Sequence, residues 1–382
     1  MTDKKLKGIL EKLNKDGLVV FPAETPAEFK VKKIPFGNML LDVVTRGGAP
    51  QGRLIRIFGP YSAGKTQIAL NIYKANLNRC HNCWELDKDH KGNKNCWEPF
   101  RLGYVDLENS YDPSWLEKLG IPVNPDPDNP NIYKVVPNSG EQAVDVVDVM
   151  IRTRMVSVLI IDSLAAMLPS IEAEKEAQES IGGQMGIAAK LLNSGMRKWT
   201  HGLISSPGEE TKAPLIVCIN QIRETMDQYS PETTPGGQGQ VFASSLDIRL
   251  ERKSYRTDKG KVKGLGENAP DKGNPVAQLV RFQILKSKIS PSGRVGEFWI
   301  WQADDPTMPG YGPGMVAYGA SLMEYATRFG VIEKKEGEYV TSDGETLGSK
   351  KDEAEEKLFN DLSLQERVIE LIRERILNGA ES

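Results

Sequence analysis

The sequence predicts an α/β fold: a mostly parallel, twisted sheet flanked by helices, with a short helix before it and a small α+β unit after it. Three observations carry that prediction. From Leu54 onward, apolar strand-length runs alternate with helical stretches: LIRIF, a helix from Lys65, RLGYVDL, NIYKVV, a helix around 141–153, SVLIID, a helix around 185–200, and PLIVCIN. That rhythm is the β-α-β pattern of a parallel sheet. After Gln221 the strands lengthen to SSLDIRLER, AQLVRFQILKSKI and GEFWIW, joined by Gly- and Lys-rich turns. They read as antiparallel additions at the sheet edge. Finally, the first strand runs straight into a glycine-rich loop, and a very apolar later strand ends in Asp162.

Taken in order, residues 1–16 carry Leu6, Ile9, Leu10 and Leu13 in an i, i+3, i+4, i+7 stripe, which predicts an amphipathic helix. The Pro-, Glu- and Lys-rich stretch 21–33 has no period and reads as a linker, so 1–33 forms a first unit. Residues 34–310 make the core, and 311–382 a small C-terminal unit ending in the charged helix LSLQERVIELIRERIL. With 382 residues, 39% hydrophobic and 26% charged, the chain can bury a sizeable core. Its net charge of −3 provides no global basic field, although a local basic groove is compatible with it. No apolar run approaches the roughly 18 residues of a membrane span, and MTDKKLKGILEK lacks the apolar region of a signal peptide. Four cysteines, three of them within 80–96 and Cys218 in an apolar strand, do not form a disulfide framework. A cytoplasmic protein without a membrane partner is expected.

Gly59-Pro60-Tyr61-Ser62-Ala63-Gly64-Lys65-Thr66 fits G-x-x-x-x-G-K-[ST], between a strand and a helix. In such a loop the backbone N–H groups wrap phosphates, the helix N-terminus faces them, and Lys65 reaches the β/γ oxygens. Thr66 offers its hydroxyl to Mg²⁺, and Asp162, ending VLIID, is placed to complete the ion's shell. Tyr104-Val105-Asp106-Leu107-Glu108 ends another strand with two acids. Glu108 is the candidate general base, a solvated strand-end carboxylate being the alternative.

Eight blocks in order then resemble the RecA family of homologous-recombination ATPases: GPYSAGKT, YVDLENSYDPSWLEKLG, GEQAVDVVD, LIIDSLAAMLP, MGIAAKLLNSGMRK, INQIR, PETTPGG and LKSKI. The resemblance spans roughly 34–345 and implies a RecA-type P-loop core using ATP and Mg²⁺. It makes Glu108 the catalytic glutamate and assigns Asp112 and Trp115, with Tyr311, to the ATP-binding set. Gln221 becomes the sensor of the γ-phosphate. Lys286 and Lys288, two apart on a strand and so on one face, become a pair that reaches the ATP of a neighbouring copy. On residues alone, the same pair reads as an edge strand guarded by lysines.

For DNA, the resemblance points to the block containing Met185, Lys190, Asn193 and Arg197. The last three share a helix face that fits either solvent or a phosphate backbone. It also points to the loop 224–239, with Tyr229 near its tip and Gly236, Gly237 and Gln238 after it. This loop is about two residues shorter than usual in the family and carries Glu224, Asp227 and Glu232. The implied function is an ATPase that forms filaments on single-stranded DNA and pairs it with homologous duplex. Single-strand-binding and mediator proteins are the implied partners. A ring helicase or motor, and an ATP-binding mediator without strand exchange, are the alternatives.

Residues 79–99 interrupt the stretch between the first core helix and the second core strand, where the family has a short connection. Cys80, Cys83, His90 and Cys96 have the spacing C-x2-C-x6-H-x5-C, a zinc-knuckle pattern of N and S donors. His81 competes as a ligand. Reduced thiols in a loop and a redox pair are the other readings. His201 reads as an ordinary helix-end residue.

Overall fold

Burial on both faces marks the centre of the sheet. In the computed structural model the described residues are 31–377, except 87–95, 125, 127, 129, 168, 171–184, 205–212, 225–231, 236, 238 and 265–272. The expected N-terminal helix on Leu6, Ile9, Leu10 and Leu13 lies outside them, as do His90, Asp227, Tyr229, Gly236 and Gln238.

The chain enters through β1 (Lys33–Ile34), α1 (Met39–Val44) and β2 (Ala49–Pro50). It then runs through β3 (Leu54–Gly59), α2 (Lys65–Lys74), β4 (Leu102–Asp106), α3 (Pro113–Lys118) and β5 (Ile132–Val135). Next come α4 (Gly140–Thr153), β6 (Val158–Asp162), α5 (Met185–Leu203) and β7 (Leu215–Gln221). All residues of β3, β4 and β6 are buried. Successive side chains alternate between two cores. Val158 and Ile160 join Val217 and the α2 residues Ile68 and Ile72 on one face. Leu159 and Ile161 join Cys218, α4 and the α5 residues Met196 and Trp199 on the other. Each buried aliphatic side chain contributes about 1.5–3 kcal/mol of transfer free energy, so losing either helical layer would undo the sheet.

A short pair, β8 (Arg223–Glu224) and β9 (Glu232–Thr233), flanks the loop after β7, and α6 (Gly239–Ala243) follows. The long strands β10 (Leu246–Thr257), β11 (Val262–Gly264), β12 (Pro275–Ser287) and β13 (Val295–Trp301) then extend the sheet, with β14 (Val316–Ala317) at its margin. Among the described residues the order is β14-β13-β12-β10-β3-β7-β6-β4-β5, with β11 on β10. Pairings from β10 through β3 to β5 are parallel, and those from β10 outward to β14 are antiparallel. Arg56 of β3 donates twice to Asp247 of β10, at 2.9 and 2.7 Å, and stitches the two halves together.

The last unit contains α7 (Gly319–Arg328), the antiparallel strands β15 (Ile332–Lys335), β16 (Glu338–Thr341) and β17 (Thr346–Gly348), then α8 (Lys351–Asn360) and α9 (Leu362–Leu377). It combines helices with a three-stranded antiparallel sheet. Ala317 pairs with Trp299, so the large sheet continues to β14 before the small unit begins. Two residues are too few to read as a strand without the partner that hydrogen-bonds them.

Candidate active site

Parallel strands bring their carboxyl ends to one edge, and the predicted residues of the phosphate loop, Glu108, Asp162 and Gln221 meet there. Gly59 ends β3 opposite Gln221 of β7, and Asp106 of β4 lies opposite Asp162 of β6. Between β3 and α2 the loop turns through left-handed backbone at Ser62 (φ 55°) and Gly64 (φ 80°). Gly64 is the residue before the helix, where absence of a Cβ makes that conformation accessible. Lys65 is buried and folds back over the loop, donating to the carbonyls of Gly59 (3.1 Å) and Pro60 (2.7 Å). Burial holds its ammonium below the usual lysine range, while Asp162 and Glu108 pull the other way. Among the described residues no carboxylate forms an ion pair with it, so the cation fits anionic oxygens brought to the loop. Tyr61 stands exposed at the tip.

Asp162 accepts hydrogen bonds from Thr66 Oγ1 (2.8 Å) and Tyr104 Oη (2.9 Å). Burial raises its pKa, those two bonds oppose the rise, and Glu108 and Asp106 add to it. A carboxylate beside a hydroxyl, with other acids near, is a donor set suited to Mg²⁺. Glu108 is exposed, and its Oε1 accepts from Gln221 Nε2 (2.8 Å) and from Ser163 Oγ. The carboxylate is therefore oriented by β6 and β7 together. Asp106, the other acid of the pair, is fully buried and accepts from the backbone N–H of Ser110 (2.9 Å) and Tyr111 (3.1 Å). It shapes the turn that presents Glu108.

Asp112 caps α3, accepting from Ser114 N (2.9 Å) and Ser114 Oγ (2.8 Å), and these bonds hold its carboxyl below the usual range. Trp115 is partly buried on the same helix. Tyr311 is nearly buried: its hydroxyl donates to Phe359 O (2.7 Å) and accepts from Gln365 Nε2 (2.7 Å). Its ring lies 4.6 Å from that of Trp301, and burial pushes its pKa up to about 12. The hydroxyl is thus engaged at the junction with the last unit. A hollow of about 700 Å³ lined by Tyr311, Lys118, Asp304 and Gly312 lies between it and the end of α3.

Lys286 and Lys288 sit at the opposite edge. Ser287 is opposite Leu246, and Leu246 is opposite Ile55, near the start of β3. Four residues of strand, on the order of 13 Å, separate that level from Gly59, more than a lysine side chain spans. Lys286 Nζ donates to Val241 O and Ser244 O, and Lys288 Nζ donates to Phe242 O (3.2 Å). The two ammonium groups thus gather at the carboxyl end of α6, where its carbonyls carry negative partial charge. Burial, then neighbouring Lys288, lowers the Lys286 pKa.

Of the DNA candidates, Lys190 and Arg197 are exposed on α5 and line a groove of about 950 Å³ between α5 and α6, with His201, Ile204 and Phe242. Asn193 also lines it but is clamped against α6. A Cβ on Gly239 would come within 1.8 Å of Asn193 Oδ1, so glycine at 239 permits the approach. Asn193 is thus not simply the third member of an open polar face. Met185 begins α5, and Gly237 is exposed. Beneath the loop, buried Asn220 donates to Pro235 O (3.0 Å) and Gln240 Oε1 (2.9 Å), while its own Oδ1 accepts from Gln221 N (2.9 Å). Sequence reasoning missed Tyr104, Ser163, Asn220 and Gln240. Only Ser163 and Asn220 had a signal, each adjoining a residue already chosen.

Cys80, Cys83 and Cys96 come together, with their sulfurs all within 4.8 Å of one another, and no disulfide joins them. Although burial opposes it, backbone N–H groups of Glu98, Cys83 and Asn82 bring the Cys80 thiol down to about 7. Burial and its two sulfur neighbours push Cys83 up to about 11. His81 is elsewhere engaged: its Nδ1 is 2.7 Å from Ser157 Oγ and its Nε2 is 2.7 Å from Arg154 O.

Among the described residues no helix is long and apolar enough to cross a membrane. A family model described as the RecA N-terminal domain matches residues 2–304. Protein RecA of Mycobacteroides abscessus is 31% identical over 92% of this chain and 85% of its own. Protein RecA of Chlorobium limicola is 29% identical over 97% and 91%. That of Heliobacterium modesticaldum is 28% identical over 98% and 94%. With the phosphate loop, the two acids and the glutamine gathered at one sheet edge, and this match over most of its length, the chain belongs to the RecA family.

Proposed function

We propose that the chain is a DNA-dependent ATPase that assembles as a filament on single-stranded DNA and exchanges homologous strands. The observation that carries this reading is a path of side chains. Glu108 is held by Gln221; the neighbouring Asn220 holds Gln240 and Pro235, at the far stem of the segment expected to meet DNA. A change in the partner of Glu108 therefore moves the strand end to which that segment is tied. Bound Mg²⁺·ATP supplies the phosphoanhydride and a neutralising charge, with Thr66 and Asp162 as ion ligands and Lys65 on the phosphate oxygens. Glu108 orients water and takes its proton.

The remote edge supports assembly. Lys286 and Lys288 are too far from their own phosphate loop to serve it, which favours service to the ATP of a neighbouring copy. Asp112 and Trp115 serve the adenine in this reading, Tyr311 contributing only its ring face. Lys190 and Arg197 hold phosphates, and Tyr229 and the stretch 236–238 meet the strand. Mediator and single-strand-binding proteins would act on the filament from outside.

ATP turnover with and without single-stranded DNA, electron microscopy of the same mixtures and a strand-exchange assay test the proposal together. Stimulated turnover, helical filaments and joint molecules are expected. Closed rings that unwind duplex, or ATP binding without exchange, would overturn it.

A further inference from the structure

The described residues of the 79–99 insertion form two limbs that meet at its base. One limb turns tightly. Cys80 N donates to Glu85 O and Trp84 N to Cys80 O, both at 2.9 Å, and Trp84 takes a φ of 62°. Trp84 is 2% exposed and meets Phe100 edge-on, its ring centroid 5.4 Å away. The other limb returns beside it, with His81 N donating to Glu98 O (2.8 Å). Cys96 O accepts from Asn82 Nδ2 (2.8 Å) and from the Cys80 thiol (3.1 Å). The two limbs thus carry three sulfurs to one point.

We propose that Cys80, Cys83 and Cys96 bind one structural Zn²⁺, with a fourth donor completing a tetrahedron. Sulfurs around a tetrahedral ion with Zn–S near 2.3 Å stand about 3.8 Å apart, within the mutual spacing of this cluster. An odd number of thiols in mutual contact suits a metal better than a disulfide, which would strand one sulfur. Three soft donors with one position left over select zinc over hard cations. Binding displaces the thiol protons to solvent.

The histidine next to the first cysteine is excluded as a ligand, because both its ring nitrogens are engaged. Its contacts give the site its purpose. His81 fastens the turn to Ser157, and Ser157 Oγ also accepts from Arg101 N (3.1 Å), at the amino ends of β4 and β6. The metal would lock a knuckle whose latch holds two central strands, far from the phosphate loop. His90 lies outside the described residues and is no part of the proposed ligand set.

The test is metal analysis of the full chain, purified without a polyhistidine tag or chelator. About one zinc per chain is expected, released by a mercurial that titrates the clustered thiols. Cys96→Ser and Cys83→Ser should lose most of it, and Cys218→Ala, altered in a separate core, should keep it. Cobalt added to stripped protein should give the sulfur-to-metal charge-transfer band and intense d–d bands of a tetrahedral thiolate site. This optical readout stands even if the serine variants fold poorly. Metal-free native protein with freely titrating thiols and no cobalt spectrum would overturn the site. Iron in place of zinc, or a Cys96→Ser protein with unchanged zinc, would overturn it equally.

Discussion

The two edges of the central sheet are built on different principles. At the carboxyl edge side chains grip one another: Gln221 and Ser163 hold Glu108, and Thr66 and Tyr104 hold Asp162. At the amino edge Lys286 and Lys288 are tied to backbone carbonyls at the end of α6. A network of side chains rearranges when an anion arrives, whereas groups anchored on carbonyls keep a surface in shape for another molecule. In the proposed filament, the chemistry and the lysine surface that would serve a neighbouring copy face opposite ways.

The largest expected effect breaks that comparison at its root. Glu108→Gln should bind nucleotide but hydrolyse about 10²–10⁴-fold more slowly. Lys286→Ala should bind nucleotide as a dilute monomer and lose DNA-stimulated turnover. Mixing the two proteins creates some interfaces with both groups intact, so partial turnover should return. No recovery at any ratio, with mixed filaments verified by microscopy, would return the lysines to a purely structural role.

A smaller effect sharpens the contrast at the α5–α6 groove. Arg197→Ala should weaken single-stranded DNA binding and flatten the salt dependence of log K by about one ion. Titrations at several salt concentrations measure it; an unchanged slope would move the phosphate contact elsewhere.

The smallest effect on turnover concerns pH and lies at neither edge. Burial raises the Asp42 carboxyl from 3.8 to about 7, against a hydrogen bond from Phe36 N and the charge of Arg373. The folded chain then holds this proton more tightly than the unfolded chain. Between about pH 4 and 7 the unfolded state binds fewer protons, so this group makes stability fall as pH rises, with no further loss above. Asp42→Asn should flatten melting midpoints across that window and leave turnover near wild type. If the slope persists in the variant, another buried acid is responsible.

How much was legible beforehand depended on whether the signal was local. The phosphate loop, the apolar strand ending in Asp162 and the strand-helix alternation all lie in contiguous residues, and the fold class followed from them. Glu108 and Asp162 were read as candidates from their own strand ends, whereas joining Gln221 to them required the family resemblance, because it lies far along the chain. Of the strand-end acids Asp106 and Glu108 the sequence reading chose Glu108 as candidate base, and burial shows how the two differ: Asp106 shapes the turn and Glu108 faces solvent. Tyr311 read as a nucleotide contact and proved to have its hydroxyl committed to Phe359 and Gln365.

By itself the sequence determined the parallel core, its antiparallel extension, the phosphate loop and the clustering of three cysteines, since periodicity and spacing are properties of neighbouring residues. Only the tertiary structure decided which edge each group occupies, that β14 belongs to the large sheet, that His81 is a latch, and that Asn193 is clamped by Gly239. Those outcomes depend on strand register and on which distant backbone comes within hydrogen-bonding distance. No local pattern encodes them, because the partner that satisfies each buried polar group lies elsewhere in the chain.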